Sequence, residues 1–242
     1  MFLKKILIFI ILLFAIGLQN STAQVENVGL NAADRAFEQK KYSEAIELYE
    51  NILTTKKQYS ESMLLKMAFI KEKANDIPAA LYYLHTYYNR NTDEKVLQKI
   101  IDIAENNKYK GHKPSDIQYL FFIFHQYTLI IISLILLLTV GSGTFLFMRH
   151  QKGLDILFPT ILLAFVALFF LYLYDFGMPA ASAIIKTNKA IAMDSPSAGA
   201  SQVNMIEKGT CVQILAKEDI WFKILYEDKT MYLRENNMWI IQ

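Results

Sequence analysis

The sequence is poor in the residues from which most catalytic sites, metal sites and disulfide frameworks are built. It contains one cysteine, Cys211, so no intramolecular disulfide can form. The four histidines fall in four separate segments, and none has a histidine partner three or four positions away that would make a helical metal site (His85, His112, His125 and His150). No glycine-rich phosphate loop is present. We therefore predict no catalytic, cofactor-binding or metal-binding residues, and we interpret Cys211 as a small strand residue and His85 as a packed or solvated side chain.

Charge of one sign is also scarce. The formal net charge is +2, and no basic patch large enough for nucleic acid is visible, which excludes a nucleic-acid partner. The positive charges that stand apart are Lys4 and Lys5 at the N-terminus and Arg149 and Lys152 in the middle of the chain. This distribution follows the positive-inside rule and predicts that residues 149–153 form a cytoplasmic turn.

Two long apolar runs flank that turn. Residues 127–148 and 154–174 contain 22 and 21 residues, so each would reach roughly 30 Å as a helix, about the hydrocarbon thickness of a bilayer. We predict a two-helix transmembrane hairpin with spans at 119–148 and 154–174, embedded in the lipid bilayer of the inner (cytoplasmic) membrane. Both flanking parts of the chain then lie in the periplasm. Close packing at Gly141, Gly143 or Ala164 would permit oligomerisation.

The first residues have the pattern of a signal peptide. A basic start is followed by the apolar stretch 6–18 and by the small residues Ser21, Thr22 and Ala23, which predict cleavage after residue 23. The alternative is an uncleaved anchor. Both interpretations leave the following segment outside the cytoplasm.

Residues 24–107 alternate helical patterns with short breaks. Helices are predicted to open at Tyr42 and at Ile77, and their alanines Ala45 and Ala80 lie 35 positions apart, close to the period of about 34 residues of tetratricopeptide repeats. Further small residues stand at matching sites of the preceding helices (Ala33, Ala36 and Ala68). Asp76 is a predicted N-cap, and Thr92 is the predicted N-cap of a last helix over 93–106. The alternative is an unrelated antiparallel helix bundle.

These positions resemble the tetratricopeptide-repeat family over about two units. The resemblance implies a concave face that holds a partner's segment. By repeat position, that face would contain Asp34 and Phe37 in the first unit and Phe69 and Lys73 in the second. The alternative for the two phenylalanines is a place in the core of each hairpin.

Residues 108–118 form a polar linker, with a capping-box pattern from Ser115. After a second linker at 175–183, residues 184–242 show short β patterns with strands predicted at 190–193, 211–216, 221–226, 230–233 and 238–241. The sequences 195–197 (Ser-Pro-Ser), 208–210 (Lys-Gly-Thr) and 221–224 (Trp-Phe-Lys-Ile) resemble the bacterial SH3-like domain. Residues 231–233 depart from its Gly-Trp-Val pattern. Trp221 and Tyr232 would form an aromatic groove for a peptide or glycan strand, or Trp221 belongs to the core.

The complete order predicts a multidomain membrane protein: all-α tetratricopeptide-repeat hairpins, a transmembrane hairpin and an all-β SH3-like barrel. This order resembles the BatE family of aerotolerance-operon proteins. The resemblance implies a non-enzymatic scaffold that acts with von Willebrand A-domain membrane proteins and a MoxR-type ATPase in oxygen tolerance or envelope stress. The alternative is a membrane-tethered sensor or anchor that binds peptidoglycan. A wall hydrolase is disfavoured because the soluble parts leave no room for a catalytic domain.

Overall fold

The computed structural model describes residues 28–56, 59–116, 119–120, 127–153, 157, 160–161, 164–166, 168 and 181–241. The predicted signal peptide at 1–23 lies outside these residues. The chain divides into two compact units, Met1–Lys57 and Gln58–Gln242. An N-terminal helical region and a C-terminal antiparallel sheet are both present, as the sequence predicts.

The first unit contains a hairpin of two helices, α1 (Val28–Glu38) and α2 (Tyr42–Lys56). Ala33 and Ala36 on α1 and Ala45 on α2 are buried, and these small side chains allow the two helix backbones to approach closely. The buried Tyr49 of α2 donates a hydrogen bond of 2.5 Å from its hydroxyl to Asp34 Oδ1 of α1. The Tyr49–Asp34 hydrogen bond therefore links the two helices of the hairpin.

The second unit begins with a matching hairpin, α3 (Glu61–Lys73) and α4 (Ile77–Asn91). The turns of the two hairpins have the same geometry 35 residues apart. Lys40 and Asn75 both adopt a left-handed conformation, with φ of 60° and 59°. The next amide bonds back in the same way each time: Lys41 N–H to Ala36 O and Asp76 N–H to Lys71 O, both at 2.9 Å. The two predicted helical hairpins are therefore present with equivalent turns.

The next helix of the second unit, α5 (Glu94–Asn106), ends in the same type of turn. Lys108 has φ of 60°, and Tyr109 N–H bonds to Ala104 O at 2.9 Å. Where α2 and α4 begin after the corresponding turns of the two hairpins, the chain here continues into the non-helical stretch 110–115. This stretch lies within the predicted linker 108–118, and we refer to it as the linker.

Of the two predicted N-caps, Asp76 lies at its predicted position and Thr92 does not. Thr92 is the C-cap of α4, in a left-handed conformation with φ of 45°, and Asp93 is the N-cap of α5 and accepts from Lys95 N–H at 2.9 Å. The prediction that Thr92 caps α5 was wrong, because the chain needs a left-handed residue to leave α4 before the next helix can start. Asp76 occupies the N-cap position of α4, but its side chain makes no capping hydrogen bond.

A sixth helix, α6 (Thr128–Gln151), has the length and composition of a membrane span, with a mean hydropathy of 2.4 and none of its apolar window buried. Among the described residues it is the one helix with these properties. Hydroxyls inside it donate to carbonyls of the preceding turn, as from Ser133 to Ile130 and from Thr139 to Ile135, so they are satisfied without water. The predicted turn at 149–153 begins later than expected, since α6 includes Arg149 and His150.

Most of the second predicted span, 154–174, lies outside the described residues. Those that are described are helical and exposed, namely Leu157, Thr160, Ile161, Ala164, Phe165, Val166 and Leu168. The capping box predicted at 115–118 is also only partly described, and there Tyr119 N–H bonds to Ser115 O at 2.9 Å.

Seven strands form one antiparallel sheet in the order β3-β2-β6-β5-β4-β1-β7. Their bounds are β1 Ser182–Ile185, β2 Ala190–Met193, β3 Gln202–Ile206, β4 Cys211–Glu218, β5 Trp221–Tyr226, β6 Lys229–Arg234 and β7 Met238–Ile241. The five predicted strands are confirmed to within two residues at each end. Two strands, β1 and β3, were not predicted, and the β region begins at Ser182 rather than at residue 184.

The core of the sheet lies on one face. Phe222 and Ile224 of β5 and Met231 and Leu233 of β6 are buried there together with residues of the outer strands. Trp221, which the alternation of a strand directs to the opposite face, is not part of this cluster.

Candidate functional site at the helix–sheet junction

Within the second unit, helix α4 packs against strands β1 and β7. The ring of Tyr82 on α4 lies 5.8 Å from the ring of Trp239 on β7, centroid to centroid. Burial of the Tyr82 ring raises the pKa of its hydroxyl, so this side chain stays neutral and acts as an apolar contact. Helix α4 and the sheet are therefore in direct side-chain contact through Tyr82 and Trp239.

The linker that leaves α5 joins the sheet by a backbone hydrogen bond. Cys211 N–H, at the start of β4, donates to Lys110 O at 2.9 Å. The next linker residue, Gly111, has φ of +82°, and a Cβ placed on it would lie 2.0 Å from Cys211 O. A side chain at position 111 is thus excluded both by backbone conformation and by space.

A second close contact joins Gly209 of the sheet region to Tyr109, which directly precedes the linker. Gly209, between β3 and β4, has φ of +86°, and a Cβ there would lie 2.6 Å from Cε1 of the Tyr109 ring. The ring of Tyr109 consequently rests directly on the backbone of Gly209. Gly111 therefore allows the linker backbone to approach the backbone of the sheet, and Gly209 leaves room for the Tyr109 ring.

Ion pairs surround this contact on its exposed side. Lys110 Nζ lies 2.8 Å from Glu227 Oε1, and Lys208 Nζ lies 3.6 Å from Asp76 Oδ1. The hydrogen bond between Lys110 and Glu227 raises the pKa of the lysine and lowers the pKa of the carboxyl group. Both side chains are exposed, so this pair contributes more to orientation than to stability.

Three side chains with metal-ligating chemistry meet at the centre of the junction. His85 comes from α4, His112 from the linker and Cys211 from β4, and their ligand atoms all lie within 4.8 Å of one another. His85 Nε2 and His112 Nδ1 are 2.9 Å apart, and His112 Nε2 is 2.7 Å from Gly209 O. His112 and Cys211 are only 4% and 8% exposed.

The hydrogen bonds fix the protons on these rings. Because Gly209 O can only accept, His112 Nε2 carries a proton and Nδ1 of the neutral ring accepts from His85 Nε2–H. Burial lowers the pKa of His85 to about 3, with the neighbouring His112 as a second cause, and burial also lowers the pKa of His112. Both imidazoles are therefore neutral near pH 7. Burial raises the pKa of the Cys211 thiol to about 12.

A cavity of about 320 Å³ borders this cluster. Its lining includes His85, His112 and Cys211, together with Tyr88 of α4 and Gln213 of β4. One side of the cluster thus faces a space large enough for several water molecules.

Sequence reasoning missed this cluster. It assigned His85 to packing and Cys211 to a strand, and it correctly found the histidines in separate segments. None of them has a histidine partner three or four positions away, as predicted, but His85 and His112 are in contact although 27 residues of chain separate them. No short spacing could reveal this contact. The positive φ of Gly111 and Gly209, which brings the segments together, is equally invisible in a residue pattern.

The helix residues that the sequence predicted to bind partners make contacts inside their own hairpins. Asp34 is bonded to Tyr49, and the ring of Phe37 lies 5.7 Å from that of Tyr42, both partly buried. In the second unit, Lys73 Nζ lies 5.7 Å from the centre of the Phe69 ring. These contacts fit a role in each hairpin's own packing, and the partner-binding role of these residues stays a prediction.

Trp221 and Tyr232 lie on the same face of the sheet. Trp221 is 6% exposed, with the Arg234 guanidinium 5.0 Å from its ring centre, and the Tyr232 hydroxyl donates to Glu218 Oε1 at 3.3 Å. Since the Trp221 ring is covered, little of it is available to a peptide or glycan. The aromatic groove predicted from sequence stays a prediction for Tyr232.

No protein-family model matches this chain, and no curated protein shows significant similarity to it.

Proposed function

We propose that this protein is a non-enzymatic scaffold of the inner membrane, with tetratricopeptide-type hairpins and an SH3-like β module on the same side of the bilayer. The function agrees with the BatE-type role that the domain order suggests. Under this proposal the helices hold a protein partner, and the β module supports the helical region or contacts a second partner.

The observation that carries this proposal is the contact between chain segments on either side of the apolar region. Lys110 precedes helix α6 and Cys211 follows the second apolar run, yet their backbones are joined by a 2.9 Å hydrogen bond. Two segments in contact must share one aqueous compartment. The intervening chain then crosses the bilayer an even number of times, which supports a hairpin of two spans.

The charge at the end of α6 supports the orientation. Arg149 and His150 lie in its last turn, and Lys152 follows directly. Because cytoplasmic loops carry an excess of basic residues, we place this end in the cytoplasm and both soluble modules in the periplasm.

The repeated hairpin geometry supports a binding role for the helices. Each hairpin buries small residues between its own two helices, a plan that recurs in repeat proteins whose stacked units present an extended surface to a partner. Under the proposal that partner is a von Willebrand A-domain membrane protein, with a MoxR-type ATPase in the same assembly. Peptidoglycan binding is less favoured, because the Trp221 ring that would stack on a sugar is buried.

Thiol labelling tests the topology. In a Cys211→Ser background, single cysteines are introduced at the exposed positions Ser62, Ser197 and Gln151. A membrane-impermeant maleimide applied to intact spheroplasts should label positions 62 and 197, whereas position 151 should react only after permeabilisation. Labelling of 62 and 197 from opposite sides would falsify the scaffold topology.

A photo-crosslinking amino acid at the exposed Lys73, expressed at native level, tests the partner class. The same amino acid at the exposed Lys189 of the sheet is the matched control for location. We expect position 73 to capture von Willebrand A-domain proteins. Recovery of uncrosslinked protein alone from both positions would count against a repeat-mediated scaffold.

A further inference from the structure

We propose that His85 Nε2, His112 Nδ1 and Cys211 Sγ bind one Zn²⁺ ion at the junction between helix α4, the linker and the sheet. Three independent segments converge there, and the three ligand atoms lie within 4.8 Å of one another. This site is independent of the proposed scaffold function, since it is built from contacts inside the second unit.

The distances fit a tetrahedral ion after a small adjustment. Zinc bonds of about 2.0–2.1 Å to nitrogen and about 2.3 Å to sulfur place two ligand nitrogens about 3.3 Å apart, and nitrogen and sulfur about 3.6 Å apart. His85 Nε2 and His112 Nδ1 are now 2.9 Å apart as a hydrogen-bonded pair. Zinc binding would open this pair by a few tenths of an ångström, and Cys211 Sγ, which lies within 4.8 Å of both nitrogens, would move to about 3.6 Å from each.

An outer contact already orients one ligand. His112 Nε2–H donates to Gly209 O at 2.7 Å, which fixes the tautomer that presents Nδ1 to the other two side chains. Metal-binding histidines usually donate their second ring N–H to a carbonyl or carboxylate in this manner, because the bond holds the ring and makes the ligand more basic.

The ligand set selects the metal. One thiolate and two imidazoles suit zinc and related borderline or soft ions, whereas magnesium and calcium require oxygen ligands. The cavity of about 320 Å³ borders all three side chains, so water can fill the fourth position. Three protein ligands with an open fourth position are a recurrent zinc arrangement.

The protons balance without a redox step. Cys211 releases its thiol proton to solvent when sulfur binds the ion. His85 moves its ring proton from Nε2 to Nδ1, and His112 keeps its proton on Nε2. The bound ion and thiolate together carry one positive charge.

The experiment uses the full chain in detergent, purified through a tag without histidine, kept reduced and freed of metal. Zn²⁺ binding is measured by competition with a chromophoric chelator, and Co²⁺ is used as a spectroscopic probe. We expect one Zn²⁺ per chain and, with Co²⁺, a thiolate-to-metal charge-transfer band. Zn²⁺ should also raise the unfolding temperature of the unmodified protein relative to chelator.

Cys211→Ser and His112→Ala should each weaken Zn²⁺ affinity by at least about tenfold. Cys211→Ser, which removes the sulfur ligand, should also abolish the charge-transfer band. The matched control is His150→Gln, which removes a histidine outside the cluster and should bind as the unmodified chain does. Because His112 is buried, its replacement can also disturb folding. The cobalt spectrum of the unmodified chain is a readout that does not depend on the folding of that variant.

Absence of stoichiometric Zn²⁺ at micromolar concentration would overturn the proposal. So would unchanged affinity in Cys211→Ser, or a cobalt spectrum without a thiolate band. Binding of Cu⁺ with no binding of Zn²⁺ would overturn the choice of metal.

Discussion

At the residue scale, the junction requires glycine at position 111. The backbone of Gly111 is left-handed, and its missing Cβ leaves room for Cys211 O. Gly199, in the loop before β3, has no comparable constraint, because a Cβ there would meet only Ser197 Oγ at 3.9 Å. Comparing substitutions at Gly111 and Gly199 separates the destabilisation that a side chain causes at the junction from the general effect of replacing a glycine.

We expect Gly111→Ala to reduce the free energy of unfolding of the second unit by about 3 kcal/mol. About 1–2 kcal/mol comes from the left-handed conformation and the remainder from the clash with a backbone carbonyl, which cannot rotate away. Gly199→Ala should change it by less than about 0.5 kcal/mol. Denaturant titration followed by tryptophan fluorescence measures both, since Trp221 and Trp239 lie in the sheet. Equal stability of the two variants would show that the linker does not pack on Cys211.

The residues of the His85–His112–Cys211 cluster show the limit of sequence reasoning at this scale. His85 lies in a helix and Cys211 at the start of a strand, as predicted. Their contact depends on the route of the linker, which positive-φ glycines determine and which no periodicity encodes. Helix and strand periods report which face is buried, but not which distant segment covers it.

At the scale of elements, short-range chemistry predicted the helices and central strands because their signals are local. Apolar periodicity and small residues 35 positions apart identified both hairpins. Strand β1 is buried at three consecutive positions and β3 has mostly exposed side chains, so neither shows the alternation of a half-buried strand. They form because pairing with β4, β7 and β2 satisfies their backbones, which is a property of the completed sheet.

The boundary between α4 and α5 gives a prediction that opposes the sequence expectation. Asp93→Ala should destabilise the second unit by about 1 kcal/mol, because it removes the hydrogen bond that Lys95 N–H donates to the Asp93 carboxylate. Thr92→Gly should be neutral or stabilising by up to about 1 kcal/mol, since a β-branched residue is strained at φ of 45°. Thermal unfolding followed by helical circular dichroism measures both. If Thr92→Gly destabilised the unit and Asp93→Ala did not, Thr92 rather than Asp93 would be the N-cap of α5.

At the scale of the whole molecule, the junction links residues about a hundred positions apart across an apolar region. Such contacts carry a loop-closure cost that grows with the length of chain between the two contact points. Sequence patterns are local, so they predicted helices and strands but not the docking of the linker on the sheet within the second unit.

If that docking is energetically coupled, a cavity made in the sheet should loosen a helix that it touches. Ile224→Ala removes a fully buried side chain and should cost about 3 kcal/mol. Hydrogen exchange measured by mass spectrometry on the full chain should then show reduced protection of α4 amides, by about the same free energy as those of β5 and β6. The α1–α2 hairpin belongs to the other compact unit and provides the internal control, with unchanged exchange. If α4 keeps its protection while the sheet loses it, the helix and the sheet unfold separately. The Tyr82–Trp239 contact and the linker would then orient the helix on the sheet without making the two unfold as one cooperative unit.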